Sequence, residues 1–341
     1  MYQEFFALRE LPFDLSPDPR YLYLTARHSE ALANLQYGIS ARKGLTLLIG
    51  EAGTGKTTLV RAALESKACR AARALYLNNP TLTRGEFLEF LADGFSLGTD
   101  AAASKASLLK QLERELISRR QRGVITALIL DEAQSLPYEL LEEIRLLANI
   151  ETNTEKLLPL VLAGQPELAD RLNEPSLRQL KQRVALRCTL GSLTREETVA
   201  YITGRIRHAG GDRSAIFTPE ALELVYRHSR GVPRTISVVC DNALVSGFAL
   251  QQKPVGAAIV QEVCRDFDFH PTSDTHYAPA EPAAALFRPR PVPTPAAVDA
   301  TPPPVAGEPL EPVVATLRPD DRASENRLFS SITRRRRFSF F

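Results

Sequence analysis

The chain has 341 residues, enough for two compact units and a tail, and its 44% hydrophobic and 24% charged residues are the balance of an ordinary globular protein. A formal net charge of +2 excludes a molecule that is basic all over, so affinity for nucleic acid would need a local patch. Cys69, Cys188, Cys240 and Cys264 show no C-x-x-C spacing, which argues against zinc and a disulfide framework and for reduced thiols in a cytosolic compartment.

Residues 1–44 open with an aromatic and apolar cluster, Tyr2, Phe5, Phe6, Leu8, Leu11 and Phe13. Glu4, Glu10 and Asp14 interrupt it, which argues against a secretory signal, and no run in the chain approaches the ~18 apolar residues of a membrane-spanning helix. A turn follows at Ser16-Pro17-Asp18-Pro19, where proline fixes φ and Asp and Ser bond their own backbone. Residues 1–24 read either as a loose arm or as a segment packed on the nucleotide domain, and packing is expected because aromatics left in water would drive aggregation. Thr25–Arg42 then reads as a helix with Ala31, Leu32, Leu35 and Ile39 on one face.

The apolar run Leu45, Leu47, Leu48, Ile49 leads into Gly50-Glu51-Ala52-Gly53-Thr54-Gly55-Lys56-Thr57, followed by Thr58 and a helix to about Leu64. The octet fits G-x-x-x-x-G-K-[ST] at every fixed position. Glycines let the backbone take positive φ and bring its N–H groups to a polyphosphate, and the helix start aims its dipole at the same anion. The stretch predicts a nucleoside triphosphate site, with Lys56 on the β- and γ-phosphates and the Thr57 hydroxyl on Mg²⁺.

Ala74–Leu77 reads as a short strand, and Thr83–Leu97 and Ser104–Gln121 as helices, the second with a charge mix that suits a solvated face. Val124–Leu130 is a buried strand ending in Asp131-Glu132-Ala133-Gln134, the form of a Walker B element about 75 residues after the phosphate loop. Asp131 would hold the Mg²⁺ shell through water, and Glu132 would orient and polarise the attacking water. After a helix at Glu139–Ile150, the strand Leu157–Ala163 closes at Gly164-Gln165-Pro166. Gln165, beside the Walker B strand, is placed either to touch the γ-phosphate and water or merely to begin a turn.

Leu177–Arg183 reads as a basic helix leading to the strand Val184–Leu190. Five strands with helices between them predict a P-loop NTPase fold: a parallel α/β sheet covered on both faces, with its ligand at the carboxyl ends of the strands. From Leu193 the strand signal stops. Thr194 and Glu197 form a capping-box start, and helices at Pro219–His228, Thr235–Ala249 and Ala257–Phe267 make a small helical lid. Its turn Gly231-Val232-Pro233-Arg234 puts Arg234 near a helix start, either reaching back to the phosphates or simply on the surface. The expected organisation is 1–192 nucleotide-binding, 193–270 lid and 271–341 tail. The tail holds thirteen of the 24 prolines and should be extended or disordered. It ends in Arg334-Arg335-Arg336-Arg337-Phe338-Ser339-Phe340-Phe341, which suits an anionic membrane, nucleic acid, a partner groove or plain solvent.

With the phosphate loop, the Asp-Glu-Ala-Gln quartet and the Gly-Val-Pro-Arg turn in place, the chain resembles the ExeA-type (general secretion pathway protein A-like) AAA+ ATPases. The likeness covers about residues 1–268, from LPFDLSPDPRYLYLTARHSEAL through LIGEAGTGKTTLVRAALE and LILDEAQSLPYELLEEIRLLANIETNTEKLLPLVLAGQPEL to GVPRTISVVCDNAL. It implies hydrolysis of ATP with Mg²⁺, residues around Tyr23–Glu30 on the adenine side, Gln165 as sensor 1 and Arg234 as sensor 2. It also implies a trans finger on a neighbour's ATP, Arg183 first and Arg178 second, and hence a homo-oligomeric ring or filament. Members of that family continue through a membrane-spanning helix into a periplasmic peptidoglycan-binding part, whereas here a proline-rich tail stands in that place, which puts direct cell-wall binding in doubt. The function implied is ATP-driven assembly of a bacterial envelope machine (secretion, pilus or polysaccharide export), in the cytoplasm or peripheral at the inner membrane, with the tail recruiting a membrane or machine partner. The same group also resembles ATPases that assemble on DNA to select transposition targets, so a DNA-binding regulator is the alternative. An ATP-gated adaptor with very slow turnover fits the same motifs.

Overall fold

The computed structural model describes residues 1–269 apart from 17, 79–80, 99 and 102–103, so the proline-rich tail lies outside the described residues. Strands β1 (Leu45–Gly50), β2 (Ala72–Leu77), β3 (Ile125–Leu130), β4 (Leu160–Gly164) and β5 (Val184–Leu190) pair in parallel in the order β2-β3-β4-β1-β5. The three central strands are apolar almost throughout because both of their faces are buried. On one face Leu45, Leu47, Leu128, Leu130, Leu160 and Leu162 pack with the helices Arg84–Gly94, Lys105–Gln121 and Tyr138–Leu147. On the other, Leu48, Ala127, Ile129 and Val161 pack with Ala26–Ser40 and Lys56–Glu65. This is the covered parallel sheet that the periodicity predicts.

Register brings the carboxyl ends together. Ile49 of β1 is level with Gly164 of β4, and Leu162 of β4 is level with Leu130 of β3. The segments that follow these strands therefore share one edge of the sheet. Three helices appear that periodicity does not announce, Tyr2–Phe6, Pro166–Leu172 and Arg213–Ile216, while the expected basic helix at 177–183 contracts to Arg178–Lys181. Each is of only one or two turns, too short for a 3.6-residue pattern to show.

The helical unit begins as its capping box requires: Glu197 N–H donates to Thr194 Oγ1 (3.2 Å), and Thr194 N–H donates to Glu197 Oε2 (2.9 Å). One expectation fails. Tyr2, Phe6, Leu8 and Phe13 do not pack against the sheet; they are buried in the helical unit's core beside Ile202, Phe217 and Val239. The Arg9 N–H donates to the Ala209 carbonyl (2.8 Å), and the Tyr2 hydroxyl donates to Asp241. The physical reason is supply and demand for apolar surface. The sheet already has helices on both faces, whereas the helical unit has no sheet to pack on, and aromatics at i and i+4 of the arm add apolar surface to its core.

Candidate nucleotide site

The phosphate loop follows β1 because the strand delivers Gly50 to the edge and the chain must turn at once into the helix Lys56–Glu65. Gly53 (φ 80°) and Gly55 (φ 95°) take left-handed backbone that a side chain would strain. Gly55 caps the helix with no side chain, which leaves the first N–H groups of the helix facing an anion position. A Cβ on Gly55 would meet nothing within 4 Å, so the loop encloses open space.

Lys56 is buried, and burial lowers its pKa. Its ammonium group donates to the carbonyls of Gly50 (2.8 Å) and Glu51 (3.1 Å), curling over the loop. The Thr57 hydroxyl donates to Asp131 Oδ2 at 2.6 Å, joining residues 74 apart in sequence. Tyr76 from β2 donates to the same oxygen (2.9 Å), and the Glu132 N–H donates to Oδ1 (2.9 Å). Asp131 is thus buried with both oxygens held. Mg²⁺ keeps most of its waters and takes one or two protein oxygens. The Thr57–Asp131 pair fits that demand, and the glycine cradle with Lys56 fits a triphosphate.

Glu132 sits in left-handed backbone (φ 50°), a strained conformation for a non-glycine residue that turns its carboxylate along the strand ends. That carboxylate accepts from Gln134 Nε2 (2.6 Å) and Gln165 Nε2 (3.3 Å). Burial pushes the Glu132 carboxyl up, but the hydrogen bonds from Gln134 and Gln165 and the charge of Lys56 outweigh it and hold it below the usual carboxylate range. The Gln134 Oε1 in turn accepts from the Gln165 N–H (3.0 Å), locking the ends of β3 and β4 together.

Across the cavity stands the helical unit. The Arg234 N–H donates to the Gly53 carbonyl (3.2 Å), and Pro233 and Arg234 line the same space. The cavity holds about 300 Å³ and has two ends. Gly53–Thr58 and Glu132 line the polar end; Tyr21, Leu22, Tyr23, Leu193 and Tyr201 line the aromatic end. His28 also lines the cavity. Its Nε2 faces the Thr54 carbonyl (3.4 Å) and its Nδ1 faces Thr25 Oγ1 (2.7 Å). A carbonyl only accepts, so the proton resides on Nε2, and burial lowers this imidazole's pKa.

Most predicted site residues therefore converge. Gly53, Thr54, Gly55, Lys56, Thr57, Thr58, Glu132 and Arg234 line the cavity, while Asp131 and Gln165 reach it through Thr57 and Glu132. Gly50 and Glu51 contribute carbonyls to Lys56, and Ala52 lies exposed. Tyr23 and His28 line the cavity, but Glu30 is exposed. Arg178 and Arg183 are exposed and do not line it. Arg183 precedes Val184, which is level with Leu45 at the amino end of β1, so it lies roughly 16–20 Å of strand from the loop. Sequence reasoning misses Tyr76, Gln134, Tyr201 and Arg205. Tyr76 and Gln134 carry a visible signal, a phenol beside the end of an apolar strand and an amide two residues after a carboxylate. The other two carry none, because nothing local announces a contact with a segment almost 200 residues away.

Residues 39–172 match the family model of the AAA domain. The chain is 43% identical over 249 residues, 73% of its length and 45% of the relative's, to general secretion pathway protein A of Aeromonas hydrophila. It is 29% identical over 161 residues, 46% of its length and 52% of the relative's, to the Mu-like prophage FluMu DNA transposition protein B of Haemophilus influenzae. The chain thus spans about half the length of these curated relatives. The Aeropyrum pernix ORC2 protein, solved in ADPNP–ADP complexes, matches with a TM-score of 0.55 at 18% identity over 75% of this chain and 71% of that one, a likeness of fold alone.

Proposed function

Since the matched part of this chain belongs to the ExeA-like AAA+ family, we propose that it binds ATP with Mg²⁺ between sheet and helical unit, hydrolyses it, and uses the cycle to assemble a bacterial envelope machine. The observation that carries the reading is the Thr57–Asp131 contact beside Lys56, with Glu132 and Gln165 on the same edge of the sheet. Bound Mg²⁺ would neutralise charge developing on the phosphates.

The chain's own residues do the rest. Lys56 turns its N–H groups from the Gly50 and Glu51 carbonyls to phosphate oxygens. Thr57 and Asp131 present the metal-facing oxygens, and Tyr76 fixes how Asp131 points. Glu132, kept ionised by Gln134 and Gln165, orients and polarises water, and relays to Gln165 whether the last phosphate is present. Arg234 reads the same phosphate from the helical side. Arg183 lies too far from its own loop to act there, which supports a role on a neighbour's ATP, with Arg178 second, and hence a homo-oligomeric ring or filament. A trans finger can be worth about 10³–10⁵ in rate.

The site of action proposed is the cytoplasm, peripheral at the inner membrane, with residues 271–341 docking on a membrane or machine partner. Among the described residues no helix is long and apolar enough to cross a membrane. The likeness to a DNA transposition protein favours a second reading, an ATPase regulated by DNA. The deciding experiment measures ATP turnover with and without duplex DNA at low salt, on the full chain and on one lacking 271–341. Envelope assembly predicts turnover indifferent to DNA and recruitment lost with the tail. Stimulation by DNA, weakening steeply with salt, would replace it with the second reading.

A further inference from the structure

The aromatic end of the cavity depends on a side chain that the proposed chemistry does not use. Arg205 lies near the end of the helix Arg195–His208 and faces the cavity. Its Nε donates to the Pro12 carbonyl, one terminal nitrogen to the Asp14 carbonyl (3.1 Å), and the other to the Tyr201 hydroxyl (2.9 Å). Tyr201 continues the chain of contacts to Ser237 Oγ (2.9 Å) on the helix Pro233–Ala249. The guanidinium carbon also stands 4.6 Å from the Tyr21 ring centroid and 5.4 Å from that of Tyr201. One planar group therefore joins the N-terminal arm to two helices. Tyr21, Tyr201 and Ser237, which it positions, all line the cavity.

We propose that Arg205 is the positioning residue that builds the nucleoside wall, and so sets how strongly the protein prefers a nucleotide to a bare polyphosphate. The inference rests on reading the cavity as the ATP site and assigns its base-and-sugar end to this junction. Among the described residues of the arm around 14–23, the regular structure is one short turn, Pro19–Tyr21. Untethered, it would have to be ordered at the moment of binding, at about 1–2 kcal/mol per residue fixed. Tethered by a three-nitrogen fork, the aromatic surfaces wait at fixed spacing, and that ordering is done before the ligand arrives. Lysine keeps the charge but lacks the fork and the stacking plane. The phosphate end depends on β1, Lys56 and the loop, none of which Arg205 hydrogen-bonds.

The test is calorimetric titration of the full chain with magnesium ATP and with magnesium tripolyphosphate, comparing the wild type with Arg205→Met, Arg205→Lys and Tyr21→Leu. Arg205→Met should bind ATP at least about tenfold more weakly, with tripolyphosphate affinity changed less than about twofold. Arg205→Lys should fall between, and Tyr21→Leu should reproduce the selective loss even if Arg205→Met does not fold. Unchanged ATP affinity, or equal losses for both ligands, overturns the proposal. A wild type that binds both ligands equally well overturns it while leaving the phosphate site standing; one that binds neither overturns the ATP site itself.

Discussion

Phosphate loop and helical unit meet backbone to backbone at Gly53, and that contact yields a prediction whose size can be worked out. A Cβ built on Gly53 would lie 2.7 Å from Arg234 Cβ and 3.2 Å from Val232 Cγ1, at a φ of 80°. Left-handed backbone costs an alanine about 1–2 kcal/mol. The clash adds about 1–3 kcal/mol, since Arg234 Cβ is fixed to its backbone and cannot rotate aside. Gly53→Ala should therefore lose about 2–5 kcal/mol of stability. Gly55→Ala is the internal control: its φ is 95°, but its Cβ meets nothing, so without ligand it should lose only about 1–2 kcal/mol. The clash can be relieved only by withdrawing the start of the helix Pro233–Ala249, which breaks the Arg234–Gly53 hydrogen bond and forfeits the same stability by another route. Denaturant unfolding of the two ligand-free variants measures the difference. If Gly53→Ala is as stable as Gly55→Ala, the close packing of loop against lid is wrong.

Lys56→Ala should abolish ATP binding in a titration, because the residue supplies an ammonium group held directly over the loop; retained affinity would move the phosphates elsewhere. Glu132→Gln should bind ATP about as tightly as the wild type yet turn it over about 10²–10⁴-fold more slowly, and full activity in a turnover assay would remove Glu132 from the water-positioning role. His28 gives a pH dependence. Burial puts its folded pKa below the 6.5 of the unfolded chain, so the unfolded state binds more protons just under pH 6.5. The stability it contributes is complete above pH 6.5 and is lost as pH falls below it. His28→Gln, which keeps a donor for the Thr54 carbonyl but cannot titrate, should lose less stability between pH 7 and pH 5; parallel curves would show that His28 is not the group responsible.

What the sequence revealed and what it hid divide along physical lines. Strands β1, β3 and β4 were legible because burial on both faces forces unbroken apolar runs, and the phosphate loop because its backbone geometry demands glycine at fixed positions. Asp131 and Glu132 could be found because they end one such run. The cap at Thr194 was equally plain, since reciprocal bonding needs Thr and Glu three apart. The destination of Tyr2, Phe6 and Phe13 was not. Their apolarity says that they are buried, but nothing in hydrophobicity says against what, and the partner surface lies some 190 residues on. Arg205 was hidden for the same reason: on its own helix it reads as one more cation in a last turn that also holds Arg207 and His208.

The misplaced arm changes what the cavity is. Leu22 packs with the sheet's core and Tyr23 with the helical core; Leu190 belongs to the first and Leu193 to the second. The chain crosses between the two cores at these two places, and Leu22, Tyr23 and Leu193 all line the cavity. Among the described residues the buried apolar clusters stop on either side of that boundary. At the loop the two units are joined by a polar contact, the Arg234 N–H to the Gly53 carbonyl. A hinge at the crossings would leave both cores intact and break only such contacts, which is the low-energy end of a protein's repertoire of motion. A ligand gripping the loop at one end and the arginine-held wall at the other would hold the units together by its own binding free energy. Loss of one phosphate would then be felt across the hinge. Under the proposed function an ATP cycle would become movement through this polar seam, and the N-terminal arm, whose Tyr2, Phe6 and Phe13 are buried in the helical core, would travel with the helical side.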